Sequence, residues 1–186
     1  MKQSLQEIFN EIGNLTATDY GANDKGGQIH TYLETYDKLF APYRSSSMIM
    51  EIGLAVGDSI KLFDRYFENT HIVGVDISVV FTPFLSEKDN MLEIIESDAT
   101  KESFLEHIEG NKFDIIIDDG SHQTQDQLDT FNLLKGKMNK GGIYVIEDIL
   151  ALDQERSRYE ALHDNCEIID MRSNGRFDNV LIIYKF

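Results

Sequence analysis

Strand-like and helix-like segments alternate along most of the chain, and this alternation limits the possible folds more than any other feature. Short apolar runs of strand character recur at Met48–Leu54, His71–Ile77, Met91–Ser97, Phe113–Ile117, Gly142–Ile146, Cys166–Met171 and Val180–Tyr184. Helical patterns lie between them, at Asp58–Phe67, Lys101–Ile108, Gln123–Met138 and Gln154–His163. Such alternation is typical of a parallel sheet that helices cover on both faces.

The last two strands differ from the others because only the short loop Arg172–Asp178 joins them. A loop of this length permits a hairpin but not the right-handed crossover that parallel strands need. The sequence therefore predicts an α/β fold with a doubly wound, mostly parallel seven-stranded sheet whose last strand is antiparallel. Several doubly wound folds share this layout.

Two helical patterns precede the first strand. Apolar residues recur at helical spacing over Leu5–Ile12 and again over Gln28–Phe40, and a loop rich in Gly and Asp, Thr16–Gly27, joins the two. All 186 residues fit a single domain. We expect a helical cover over residues 1–45 and a sheet core over residues 46–186.

Charge and cysteine content restrict the binding partners and the cellular compartment that we expect for this chain. The formal net charge of -16 argues against nucleic acid and anionic membranes, because both are bound through Lys and Arg. No apolar run approaches the roughly 20 residues that span a bilayer. Cys166 is the sole cysteine, so no intramolecular disulfide forms, and a reducing, cytoplasmic setting is expected. A homo-oligomer is compatible with these features.

Acidic residues follow five of the predicted strands at one edge of the sheet. In an open α/β sheet, ligands bind outside the carboxyl ends of the strands, where the strand order reverses. Those ends carry Glu51, Asp76, Asp98, Asp118, Asp119, Glu147 and Asp148. So many carboxylates at one edge indicate a polyhydroxylated, cationic or metal-containing ligand.

The first three strand ends indicate a nucleoside. Gly53 and Gly57 permit a tight turn from strand to helix, but they lack the G-x-G-x-x-G spacing of nicotinamide sites. Glu51 before them suits a cationic amino-acid group better than a pyrophosphate. Asp76, about 20 residues further on, is placed for the ribose hydroxyls that NAD and S-adenosylmethionine share. Asp98 suits either an adenine amino group or the cap of the next helix.

The most specific motif is the run from Asp118 to His122. Successive strand side chains point to opposite faces, so Asp118 and Asp119 are predicted to face different sites. Asp119 together with Glu147 and Asp148 would offer hard oxygen ligands to Mg²⁺ or Mn²⁺. His122 is a candidate general base beside them, or alternatively a cap of the following helix.

These motifs resemble those of class I S-adenosylmethionine-dependent methyltransferases. Within that class they are similar to the metal-dependent sugar O-methyltransferases of the macrocin and mycinamicin type, to which cephalosporin hydroxylase-like proteins are related. The resemblance spans most of the chain and depends on the segments Asn23–Lys25, His30–Tyr32, Tyr36, Asp118–His122 and Ile146–Ile149.

The resemblance implies a Rossmann-like methyltransferase fold and an enzyme that methylates a hydroxyl of a sugar or other small polyhydroxylated acceptor. It implies S-adenosylmethionine and Mg²⁺ or Mn²⁺ as cofactors. The metal ligands would be Asp119, Glu147 and Asp148, and His122 would deprotonate the acceptor. The cofactor contacts would be Lys25, Glu51, Gly53, Gly57, Ser59, Asp76, Asp98 and Asp118.

Three alternatives stay open. The first is another enzyme on the same scaffold, such as a hydroxylase or a catechol-type methyltransferase. The second is a non-catalytic module that binds S-adenosylmethionine, against which the acids and His122 argue, since binding alone needs neither. The third is a nicotinamide-dependent oxidoreductase, which the missing glycine motif disfavours.

Overall fold

The structure is a computed structural model that describes residues 2–13, 24–26, 29–45, 47–80, 86 and 88–186. Its helices are α1 (Leu5–Gly13), α2 (Leu33–Phe40), α3 (Asp58–Tyr66), α4 (Phe104–His107), α5 (Thr124–Leu134) and α6 (Leu152–Glu160). Its strands are β1 (Met48–Ile52), β2 (His71–Asp76), β3 (Met91–Glu96), β4 (Phe113–Asp118), β5 (Met138–Ile146), β6 (Cys166–Asp170) and β7 (Val180–Lys185). Among the helices of the described residues, none combines the length and apolarity needed to cross a membrane.

The seven strands form one sheet in the order β3-β2-β1-β4-β5-β7-β6. Strands β1 to β5 pair in parallel, and β7 runs antiparallel to both β5 and β6. The predicted doubly wound sheet with an antiparallel last strand is therefore confirmed. Because the strand order reverses between β1 and β4, a crevice is expected at the carboxyl ends of these two strands.

Side chains of the central strands alternate between two apolar layers. Ile115 and Ile117 of β4 pack with residues of α1, α2 and α3, whereas Ile116 packs with residues of α4, α5 and α6. The same alternation holds in β1, where Ile49 joins the first layer and Met50 the second. Helices thus cover both faces of the sheet, and side chains just past the strand ends are sorted by the same alternation.

The second predicted helix is wrong in its first turn, because α2 begins only at Leu33. The amides of His30 and Tyr32 donate instead to the carbonyl oxygens of Asp24 and Lys25, each at 3.0 Å. These bonds to a preceding turn replace the bonds a helix would form there. Asn23, the predicted start at Gln28 and most of the loop Thr16–Gly27 lie outside the described residues.

Three further element boundaries differ from the prediction. The helix predicted from Lys101 is confined to α4, because Asp98 Oδ1 accepts the amide and hydroxyl of Thr100 at 2.9 and 2.7 Å and holds a turn there. The helix predicted to reach Met138 ends at Leu134, and β5 already begins at Met138. The last helix, α6, begins and ends a few residues earlier than predicted.

Candidate active site

Alternation along the strands sorts the acidic residues into two groups. Asp119 follows Ile117 by two residues and so faces the layer of α1, α2 and α3, where Lys25 Nζ contacts it at 2.7 Å. Asp118 faces the opposite layer, where Tyr144 donates to its Oδ2 at 3.2 Å. The predicted divergence of these two neighbouring carboxylates is therefore what the structure shows.

A cavity of about 350 Å³ opens at the carboxyl ends of β1, β2 and β4. Four residues of the predicted cofactor set line it: Gly53, Asp76, Asp98 and Asp118. A further side of the cavity, not predicted from the sequence, is formed by α5 and the turn before it, which contribute Ser121, Asp126, Gln127 and Thr130. The helix was predicted, but nothing in its pattern marks these polar residues as facing a ligand.

Asp76 ties the end of β2 to the turn that follows β1. Its Oδ2 accepts the amides of Leu54 and Ala55 at 2.7 and 3.3 Å, and its Oδ1 accepts the amide of Ser78 at 3.0 Å. A carboxylate has about four acceptor positions, so one remains for a ligand hydroxyl in the cavity.

Gly53 has a steric reason to be glycine. Its φ is +87°, and a Cβ at this position would overlap the carbonyl oxygen of Asp119. The turn after β1 therefore approaches the end of β4 closely.

Gly57, with φ 79°, is the left-handed residue before α3. Ser59 in α3 donates to Glu51 Oε2 at 2.7 Å.

The other four predicted cofactor residues do not line the cavity. Of the described residues, those that line it do not include Lys25, Glu51, Gly57 or Ser59. Burial raises the pKa of Glu51 to about 7, although Lys25 and Ser59 act in the opposite direction. Burial likewise raises the pKa of Asp118 to about 7.

Lys25 is buried among three carboxylates. Its Nζ lies 2.7 Å from Asp119 Oδ2, 2.8 Å from Glu147 Oε1 and 3.2 Å from Glu51 Oε1. Burial by itself lowers the pKa of Lys25, but the charges of Asp119, Glu147 and Glu51 outweigh it and hold the pKa well above its ordinary value. The side chain is therefore an ammonium. We call the three carboxylates, Glu51, Asp119 and Glu147, the acidic cluster.

Two tyrosines at the start of α2 hold the acids that follow β5. Tyr36 donates to Glu147 Oε1 at 2.6 Å, and Tyr32 donates to Asp148 Oδ1 at 2.7 Å. Burial raises the pKa of Glu147 well above its ordinary value. Burial and the nearby charge of Asp119 raise the pKa of Asp148 to about 7. The four-residue spacing of the tyrosines is the sequence signal for this shared face.

Asp119 of the acidic cluster also converges with His122 and Asp148. Each offers one ligand atom, and these atoms lie within 4.8 Å of one another. His122 Nδ1 lies 4.0 Å from Asp119 Oδ1, is buried, and has no hydrogen-bond partner in the described part of the chain. Helix α5 has no side-chain cap, so His122 does not serve as one. Both His122 and Asp148 have positive φ angles, of 57° and 55°.

Glu147 is placed apart from this convergent group. Its Oε1 accepts hydrogen bonds from the Lys25 ammonium and the Tyr36 hydroxyl. Of the three predicted metal ligands, Asp119 and Asp148 therefore converge with His122, whereas Glu147 faces the ammonium. On the other side of Asp148, His30 Nε2 lies 3.4 Å from Oδ1. Both ring nitrogens of His30 are buried without a hydrogen-bond partner among the described residues.

Known proteins similar to this chain include two sugar O-methyltransferases, although no protein-family profile matches. One is 8-demethyl-8-alpha-L-rhamnosyl tetracenomycin-C 2'-O-methyltransferase of Streptomyces olivaceus, 32% identical over 137 residues that cover 68% of this chain and 35% of the relative. The other is mycinamicin VI 2''-O-methyltransferase of Micromonospora griseorubida, 31% identical over 67% of this chain and 33% of the relative. The chain thus spans about a third of the length of these relatives.

Among solved structures, the methyltransferase MycE of the mycinamycin biosynthetic pathway, in complex with Mg and SAH, has the same fold. Its TM-score is 0.73 at 24% identity, and the alignment covers 100% of this chain and 55% of MycE. The sheet order and the crevice between β1 and β4 agree with this match. The chain belongs to the class I S-adenosylmethionine-dependent methyltransferases.

Within that class, its relatives by sequence are the sugar O-methyltransferases of the tetracenomycin, mycinamicin and macrocin types. The family resemblance seen in the sequence is confirmed. A single domain over all 186 residues stays a prediction.

Proposed function

We propose that this chain uses S-adenosylmethionine to methylate a hydroxyl of a sugar or other small polyhydroxylated acceptor, with the help of Mg²⁺ or Mn²⁺. One observation carries the proposal. At the end of β4, Asp118 borders the cavity, and the next residue, Asp119, joins the carboxylates and His122. Methyl transfer needs a donor and an acceptor held in adjacent sites, and this junction provides two.

The cavity supports a nucleoside ligand. Asp76 retains an acceptor position for ribose hydroxyls, and Asp98 lines the cavity at the end of β3, where we place the adenine amino group. Glu51 is buried and its Oε1 lies 3.2 Å from the Lys25 ammonium, a contact with a cationic nitrogen, and we propose this carboxylate for the cationic amino group of the cofactor. Gly53 and Asp118 complete this part. The remaining residues of the proposed set act around Glu51 and its turn: Lys25, Gly57 and Ser59.

The carboxylates beyond Asp119 support a hard divalent cation. We propose Asp119, Glu147 and Asp148 as its ligands, because carboxylate oxygens are the donors that Mg²⁺ and Mn²⁺ prefer. When bound, such a cation supplies Lewis acidity that makes a hydroxyl easier to deprotonate. Tyr32 and Tyr36 orient two of these carboxylates through their hydroxyl groups.

His122 is the proposed general base. Its unpartnered Nδ1 faces Asp119 and can take the proton of an acceptor hydroxyl, and the carboxylate then stabilises the imidazolium. S-adenosylmethionine, when bound, supplies an electrophilic methyl group. As the acceptor oxygen bonds to that carbon, the carbon–sulfur bond breaks and the sulfonium becomes a neutral thioether.

The acceptor and the setting belong to the same proposal. The name of the tetracenomycin relative describes methyl transfer to a rhamnosyl group on a larger molecule, and we extend the sugar hydroxyl to this chain. The net charge of -16 disfavours nucleic acid as an acceptor. We place the reaction in a reducing, cytoplasmic setting, in keeping with the single cysteine.

Calorimetry and a methyl-transfer assay test the proposal together. S-adenosylhomocysteine should bind and NAD should not, and Asp76→Ala should weaken binding by about 5- to 100-fold, the cost of unmade charge-assisted hydrogen bonds. Asp89→Ala, at an exposed position, is the matched control. EDTA should abolish methyl transfer to sugars, and Mg²⁺ or Mn²⁺ should restore it. Tight binding of NAD alone, or full activity without metal, would contradict the proposal.

A further inference from the structure

One lysine occupies the centre of the acidic cluster. Glu51, Asp119 and Glu147 come from the ends of three adjacent strands, β1, β4 and β5, whereas Lys25 comes from the segment before α2. The Lys25 side chain is 1% exposed, and its Nζ contacts all three carboxylates within 3.2 Å. The ammonium therefore lies where the three strand ends meet.

Two of these carboxylates, Asp119 and Glu147, are also proposed cation ligands. A divalent cation would coordinate their oxygens at about 2.0–2.1 Å. The Lys25 ammonium already contacts the same two side chains at 2.7 and 2.8 Å. Two cations within a few ångströms repel each other in a buried site, which disfavours simultaneous contact of both with these carboxylates.

We infer that Lys25 is a built-in competitor of the divalent cation: its ammonium offsets part of the charge of the acidic cluster when no metal is bound, and metal binding at Asp119 and Glu147 displaces it. This inference rests on the proposed metal-assisted function. The movement can be confined to the side chain. The carbonyl oxygen of Lys25 accepts the amide of Tyr32 at 3.0 Å, which anchors the backbone, while the four-carbon stem is flexible.

If Lys25 competes with the metal, removing its ammonium should lower the stability of the metal-free protein and raise the affinity for the metal. Without the ammonium, the carboxylates of the metal-free protein are buried with less compensation, and the fold is destabilised. The same loss removes the cation that a metal must displace, so metal affinity rises. A lysine that merely held the ligands in position for the metal would have the opposite effect on affinity.

The variant Lys25→Met tests this with Mn²⁺ as the probe. We expect calorimetry to show Mn²⁺ binding about tenfold tighter or more than in wild type. The melting temperature should fall in EDTA and recover with Mn²⁺. Lys61→Met is the matched control, because it removes the same charge from a lysine that pairs with Asp58 on α3 at 2.8 Å. Its Mn²⁺ affinity should equal that of wild type.

A second measurement, made on the wild-type protein, tests the inference even if Lys25→Met does not fold. Reductive dimethylation followed by mass spectrometry should find Lys25 protected in EDTA and labelled at saturating Mn²⁺. Weaker Mn²⁺ binding by Lys25→Met, or protection of Lys25 in the Mn²⁺-saturated protein, overturns the inference and leaves the proposed function standing. Absence of Mn²⁺ binding by the wild-type protein and by both variants overturns the inference together with the metal-assisted function.

Discussion

At the scale of single residues, His122 faces the carboxylates with a buried Nδ1 that lacks a hydrogen-bond partner in the described chain. Because His122 is the proposed general base, the variant His122→Ala should have a kcat about 10²- to 10⁴-fold lower than wild type, while its affinity for S-adenosylhomocysteine changes little. His107→Ala, at an exposed position on α4, is the control. If the variant melts at a lower temperature but turns over normally, His122 has a structural role and is not the base.

Substitution of Gly53 tests whether the close approach of the turn after β1 to the end of β4 requires glycine at this position. Gly53→Ala should destabilise the protein by about 2–4 kcal/mol, because the added Cβ meets the Asp119 carbonyl and because a positive φ disfavours side chains. Gly110→Ala shares the positive φ, of +79°, but its Cβ would meet nothing within 4 Å. Chemical denaturation should therefore show a clearly smaller loss in Gly110→Ala. Equal losses in the two variants would mean that the close approach of the turn to β4 is not what requires glycine.

At the scale of elements, α2 and the residues just before it supply the outer contacts of the proposed metal ligands. Tyr36→Phe keeps the ring beside Phe40 but removes the hydroxyl that binds Glu147. We expect Mn²⁺ affinity to fall about 10- to 100-fold, the usual effect of losing a contact that orients a ligand. Tyr66→Phe, whose hydroxyl makes only a 3.4 Å contact to Asp37 O, should leave the affinity unchanged. Unchanged affinity in Tyr36→Phe would show that α2 does not orient the ligand.

At the scale of the whole molecule, buried acids make stability depend on pH. Burial raises the folded-state pKa of Glu51 from 4.5 to about 7, so the folded protein binds this proton more tightly than the unfolded chain does. Its contribution is most favourable below pH 4.5 and is lost as the pH rises to about 7, by at most about 3 kcal/mol. In EDTA, wild type should thus be less stable at pH 8 than at pH 5. Glu51→Gln should reduce this difference, and an unchanged difference would contradict the assignment.

Much of this architecture follows from local pattern. The alternation of apolar runs predicted every strand of the sheet, because a strand buried on both faces needs such a run and the intervening helices need a 3.6-residue period. The two-residue alternation also predicted that Asp118 and Asp119 separate, since the pleat directs neighbouring side chains to opposite faces. Where helix bounds were wrong, as before Leu33 and after Lys101, tertiary or side-chain hydrogen bonds replaced those of a helix.

Local sequence pattern is enough to place the acidic residues at the sheet edge, because carboxylates directly after apolar strands must emerge where the strands end. Which cation these carboxylates meet depends instead on long-range packing. Lys25 is 94 residues from Asp119 and 122 from Glu147, and no local rule relates positions so far apart. Their contact arises because α1 and α2 bury their apolar faces on one side of the sheet, which carries the segment before α2 over the ends of β1, β4 and β5.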